Sequence, residues 1–245
     1  IGAVPVALST SPTPEQPLAV AVDVRRLFKI SPSGTIACLV AGLANGSFWG
    51  LAAVFAASLS NDISLAAWFM TAVVIGGAIG QWPLGMLSDV AGRRKVLIAV
   101  SVAGASVGIA LFLLAPNLDS VSTILLGACW GGLAFPLYTI AVAYTNDFAE
   151  PGEYVTVSSG LLLMYGIGAT IGPFLASALM TLQQPSGLFL FTAMVHLILI
   201  MYVMIRFIRR RTHAKRQVSF GDALSAAQTA SQVFEEDIHP QPVDP

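Results

Sequence analysis

Chemistry in this 245-residue chain is concentrated in one run, Gly85-Met-Leu-Ser-Asp89-Val-Ala-Gly92-Arg93-Arg94-Lys95. It closes a long apolar stretch. A carboxylate at the end of an apolar helix can cap a following helix or meet the positive end of a neighbouring one, and Asp89 stands at such a position. Gly85 admits a second backbone at close range. Gly92 permits a tight turn that a Cβ would hinder. Arg93, Arg94 and Lys95 fit the lipid head-group level, and taken alone they describe no more than a basic hairpin. A second pattern, Gly104-Ala-Ser106-Val-Gly108, has the GxSxG spacing of a serine nucleophile, with His196 as the base it would need within hydrogen-bond reach. A third set consists of polar or aromatic residues inside apolar runs: Asn45, Trp49, Trp130, Tyr138 and Tyr165. An amide is costly in hydrocarbon unless satisfied, and rings with polar tips suit an amphiphilic ligand.

The composition says what must carry these residues. Charged residues make up 10% of the chain and hydrophobic ones 56%, against roughly 25% charged in a soluble domain. The mean hydropathy is +0.77. So few charges cannot cover a soluble globule, so the solvent is a lipid bilayer. The net charge of −1 leaves no footprint for nucleic acid. Cys38 and Cys129 both lie in apolar runs, which excludes a disulfide framework. A phosphate-cradling GxxxxGK[ST] is absent, which argues against a nucleotide-driven pump within this chain, and no cofactor is expected.

A membrane helix needs about 20 apolar residues. Six segments qualify, at 34–59, 64–86, 95–115, 121–145, 155–182 and 187–208, separated by short polar, Pro- or Gly-bearing breaks. The fold class is therefore an all-α integral membrane protein, a six-helix bundle with antiparallel neighbours. The 12 Lys and Arg fall before the first span, between the second and third, and at or after the end of the sixth. Threading puts all three places on one side, which makes that side cytoplasmic, with both termini facing it. Residues 1–32 divide into the end of a preceding helix (Ile1–Leu8) and a cytoplasmic linker. Residues 33–209 form the transmembrane domain, and 210–245 a basic, then disordered, cytoplasmic tail.

The pattern Gly-x-Leu-x-Asp-x-x-Gly-Arg-Arg, preceded by Gly80-Gln-Trp-Pro83 and placed between the second and third spans, resembles the cytoplasmic-loop signature of the major facilitator superfamily. Val90 stands where that family usually has Arg or Lys. The resemblance implies half of a twelve-helix transporter, in which two six-helix units rock about a central solute site in the plasma membrane. It further implies that Gly85, Asp89, Gly92, Arg93 and Arg94 form a conformational switch, with Asp89 meeting a helix N-terminus of the other half. That partner would be the N-terminal six-helix half of a full-length chain, or a second parallel copy. In the family, the first and fourth helices of each half line the cavity. This makes Asn45, Trp49, Trp130, Tyr138 and Tyr165 the expected contacts of a small-molecule solute, with Phe48 and Phe135 beside them; helix–helix glue is the alternative for each.

Small residues four apart mark close helix contacts: Gly42, Gly46 and Gly50; Gly76 and Gly80; Gly127 and Gly131; Gly168 and Gly172 before Pro173. The last of these resembles part of the Gly/Pro motif of drug–proton antiporters, with Ala176 and Ser177 in place of its closing glycines. No Asp, Glu, Lys or Arg lies at mid-depth, so a proton, as coupling ion, would be carried by the other half. The competing reading is an enzyme. Ser106 and His196 on a six-helix chain resemble a rhomboid-type intramembrane serine protease, although Ser106 lies mid-helix without an elbow to expose it.

Overall fold

A computed structural model describes residues 23–60, 63–150 and 152–209. The readings for Ile1–Leu8 and the linker up to residue 22, for Asp62, and for the tail from 210 lie outside the described residues. All regular structure among the described residues is helical. The elements are α1 (Val24–Ile30), α2 (Pro32–Leu59), α3 (Ile63–Ala91), α4 (Arg93–Leu114), a 3-10 turn (Ala115–Asn117), α5 (Ser120–Ala134), α6 (Pro136–Asn146), α7 (Tyr154–Gln183) and α8 (Gly187–Arg209). Six spans result, with α5 and α6 sharing the fourth. The chain is an all-α bundle of the expected class.

Three boundaries differ from the sequence reading, each for a local reason. The α1 turn forms because the Asp23 carboxylate accepts the backbone N–H of Arg26, and Leu27 is buried where it meets Gly160 of α7. Arg26 also pairs with Glu153 just before α7. Helix α3 runs on through Asp89 to Ala91, so most of the signature is helical and a single residue, Gly92, makes the link. The fourth span breaks at Phe135 because Pro136, lacking an N–H, cannot continue the ladder of α5.

The glycine rows are the seams of the bundle. A Cβ at Gly42 would stand 2.1 Å from the Tyr165 carbonyl oxygen, and one at Gly168 would stand 2.2 Å from that of Leu39, so α2 and α7 touch backbone to backbone. The second seam joins α3 to α5: Gly76 abuts Ala128, Gly80 abuts Gly132, and Gly131 abuts Val73, at 2.0–2.2 Å on the same measure. Lipid supplies no hydrophobic drive between helices, so packing this close carries the association. Between the seams lies a layer of rings, with Phe48, Phe55, Phe69, Trp130 and Phe189 all fully buried. Helix α8 turns Met194, Leu197, Ile198, Met201, Met204, Ile205 and Ile208 outward, an unbroken apolar stripe suited to lipid.

At the opposite end from the basic residues, Asp119 caps α5, accepting the N–H groups of Val121 and Ser122 and the Ser122 hydroxyl. These bonds, led by the hydroxyl, hold its carboxyl below the ordinary value. A depressed carboxyl contributes stability that is present above its unfolded pKa and lost as pH falls through the folded one. Amide exchange at Val121 and Ser122 is therefore expected to speed up as pH drops through the carboxylate range, beyond the intrinsic pH dependence. The Asp119→Asn variant should lack that response.

Candidate functional site: a buried charge cluster and an aromatic face

Asp89 lies on the last turns of α3, and Arg93 opens α4 four residues later. Gly92 between them has φ +93°, and nothing lies within 4 Å of where its Cβ would be. Backbone conformation rather than space requires glycine there. The turn folds Arg93 inward until it is 2% exposed. Its guanidinium donates to Asp89 at 2.9 Å, to Asp147 at 2.6 Å and to the Ala143 carbonyl at 2.6 Å. One buried cation thus binds two carboxylates and a carbonyl, tying α3, α4 and the end of α6 together. Charge-assisted bonds of this kind are the strong ones, and they matter most where water is excluded.

Two expectations are revised by this geometry. Asp89 does not cap α4, whose first turn has no side-chain cap; it pairs instead with Arg93. The basic trio is not one surface cluster either. Arg93 is interior and Lys95 exposed, while half-buried Arg94 lies near Tyr144 and Arg206. Asp147 was missed. Its signal was available, since it is a carboxylate beside the fourth span on the same side as every described cation.

The serine–histidine pair is not assembled. Ser106 Oγ donates back to the Val102 carbonyl at 2.9 Å on an exposed flank of α4. His196 instead faces Gly104, whose Cβ would stand 3.2 Å from Nε2. Two residues along a helix turn a side chain about 200° away, so Ser106 points off the opposite side. His196 donates from Nδ1 to the Thr192 carbonyl at 2.6 Å and is fully buried. It packs α4 against α8.

The five residues expected to meet a solute divide. Trp130 is fully enclosed, stacked on Phe48 with ring centroids 5.3 Å apart and set edge-on to Phe189 at 5.5 Å. Asn45 is 5% exposed, and neither its Oδ1 nor Trp130 Nε1 has a hydrogen-bond partner among the described residues. Both are buried within this bundle, Trp130 under the rings of Phe48, Phe135 and Phe189. Trp49 is the open member, 53% exposed and stacked on Phe135 at 5.9 Å. Half-buried Tyr138 and Tyr165 meet each other at 4.8 Å across α6 and α7.

Six apolar spans, a glycine hinge and a buried Asp–Arg–Asp cluster at the basic end define a polytopic membrane protein. Residues 34–239 match the family model of the Major Facilitator Superfamily. Over 174 residues the chain is 31% identical to an uncharacterized MFS-type transporter of Yersinia enterocolitica, and 30% identical to the MFS-type transporter YcaD of Salmonella arizonae. Each match covers 70% of this chain and 43% of the relative. The chain belongs to the Major Facilitator Superfamily. It spans less than half the length of the curated relatives it matches.

Proposed function

We propose that this chain is one six-helix half of a secondary transporter that moves a small solute through the plasma membrane by alternating access. It works with a second six-helix unit, either the N-terminal half of the same full-length chain or a parallel second copy. A proton is the coupling ion, and its carrier sits in that second unit. Both termini and the basic end face the cytoplasm, as the one-sided cations favour. The solute meets this half on its open aromatic face, at Trp49, Tyr138 and Tyr165, near the middle of the bilayer. The observation that carries the proposal is the Asp89–Arg93–Asp147 cluster. It braces three spans at one end of the bundle, where rocking of two halves must open and close contacts. Asp89 is the most exposed of the three, which supports its choice as the residue that meets a helix end of the second unit.

Asp89→Asn separates brace from gate. It keeps the size of the side chain and removes the charge. Solute uptake by the full-length transporter is expected to fall about 5- to 150-fold, the scale of a lost coupling of roughly 1–3 kcal/mol. Membrane insertion and detergent-extracted yield should stay at parental levels. Unchanged uptake kinetics in the variant count against a gating role.

A further inference from the structure

We infer that Arg94, Arg206 and Tyr144 form a head-group site for an anionic phospholipid of the leaflet at the basic end. The lipid phosphate is held by the two guanidinium groups, and its acyl chains lie along α4 and α8. The inference goes beyond the transporter reading and needs only that the basic end lie at a bilayer surface. Two helices bring the cations level. Gly104 of α4 meets His196 of α8, and Gly108 meets Thr192, so these helices run antiparallel in a fixed register. Ten residues toward the basic end from the first contact stand Arg94 on one helix and Arg206 on the other. Each marks the mouth of a span, Arg94 beside its first residue and Arg206 at its last. That is the depth of the lipid phosphates. Both cations are half-buried and lie near each other. Both also lie near the phenol of Tyr144 on α6, which the Ser33 hydroxyl steadies.

The charge around the first turn of α4 favours an anion. Among the described residues, Arg93, Arg94, Lys95 and Arg206 stand there against two carboxylates, Asp89 and Asp147, and Arg93 binds both. Asp147 also lies near Tyr144. Like charges this close repel, an anion beside them relieves the repulsion, and phosphate oxygens match the guanidinium fork. A basic pocket between membrane helices at this depth suits a phospholipid head group. The rows leading inward from the two cations separate a lipid from a free phosphate. On α4, half-buried Ile98 follows Arg94 by one turn, and exposed Val102, Ile109 and Leu113 continue the row. On α8, exposed Met201, Ile198 and Met194 lead inward beside Arg206. Acyl chains cover such surface, whereas inorganic phosphate leaves it unused. Neither helix contributes to the open aromatic face of Trp49, Tyr138 and Tyr165.

The test titrates phosphatidylglycerol into the full-length transporter in neutral detergent and counts bound lipid by native mass spectrometry. Phosphatidylcholine of the same acyl chains and inorganic phosphate are the other arms. One phosphatidylglycerol should bind ahead of the rest. Arg94→Gln combined with Arg206→Gln should weaken it about 30-fold, the scale of two cations at a lipid surface. Arg25→Gln combined with Lys29→Gln removes the same charge from the exposed side of α1 and should leave that affinity unchanged. Tyr144→Phe keeps the ring against Phe148 and serves if the double variant fails to fold. It should weaken binding about 2- to 10-fold, the scale of one hydrogen bond. Equal affinity for phosphatidylcholine overturns the anionic class, and inorganic phosphate competing at equal concentration overturns the need for acyl chains. Equal losses in the two double variants, or parental affinity in Tyr144→Phe together with Arg94→Gln and Arg206→Gln, overturn the site. Neither failure touches gradient-driven uptake, so the transporter reading stands or falls separately.

Discussion

Arg93→Leu is expected to cost the fold about 3–5 kcal/mol, because it leaves Asp89 and Asp147 facing each other with no cation between them. Few single changes should be as harmful outside the glycine seams. Arg93→Lys should recover only part of the loss, since one ammonium cannot reproduce the forked contacts to Asp89, Asp147 and the Ala143 carbonyl. Removing a carboxylate as well should relieve the strain. Arg93→Leu combined with Asp147→Asn is expected to be more stable than the sum of the two single losses, the sign of direct coupling. Unfolding of the detergent-solubilised protein, followed by heat or denaturant, reads all four variants. A parental midpoint for Arg93→Leu would show that the cluster braces nothing.

The second large effect lies in the α2–α7 seam. Methyl groups at Gly42 and Gly46 would stand 2.1 Å and 2.4 Å from the carbonyl oxygens of Tyr165 and Ala169. The atoms they strike are backbone, which cannot rotate aside, so the helices must separate along the whole contact. Each alanine is expected to cost about 1–3 kcal/mol, and the pair more than either alone. Gly166 is the internal control. It lies on the same helix as the seam partners, but nothing stands within 4 Å of its Cβ position. Gly166→Ala should be neutral, or gain up to about 1 kcal/mol from helix propensity. If Gly42→Ala and Gly166→Ala unfold together at the parental midpoint, close packing is not what holds α2 to α7.

Much of this was legible in the residues. Six spans were readable because a bilayer imposes one length and one polarity on every crossing. The glycine rows named the seams because spacing by four fixes a face, and each row found another across the contact: Gly42 and Gly46 met α7 near Gly168, and Gly76 and Gly80 met α5 near Gly131. Gly92 was readable as a turn. What stayed hidden was pairing across the bundle. Asp147 sits 54 residues from Arg93, and hydropathy carries no information about which carboxylate a cation will reach. Burial was hidden for the same reason. Asn45, Trp49 and Trp130 look alike in sequence, yet Asn45 is buried, rings enclose Trp130, and Trp49 is left open. Ser106 and His196 matched a spacing whose chemistry depends on two helix faces turning toward each other, and they turn apart.

Gradient-driven uptake tests the central claim most directly. The full-length transporter is reconstituted in proteoliposomes with an imposed proton gradient, and entry of cationic, anionic and neutral aromatic probes (ethidium, benzoate and N-phenyl-1-naphthylamine) is followed with and without an uncoupler. Uptake that requires the protein, collapses with the gradient and falls in Asp89→Asn is the predicted result. Flux no greater than in protein-free liposomes, or flux indifferent to both the gradient and Asp89, would contradict the account.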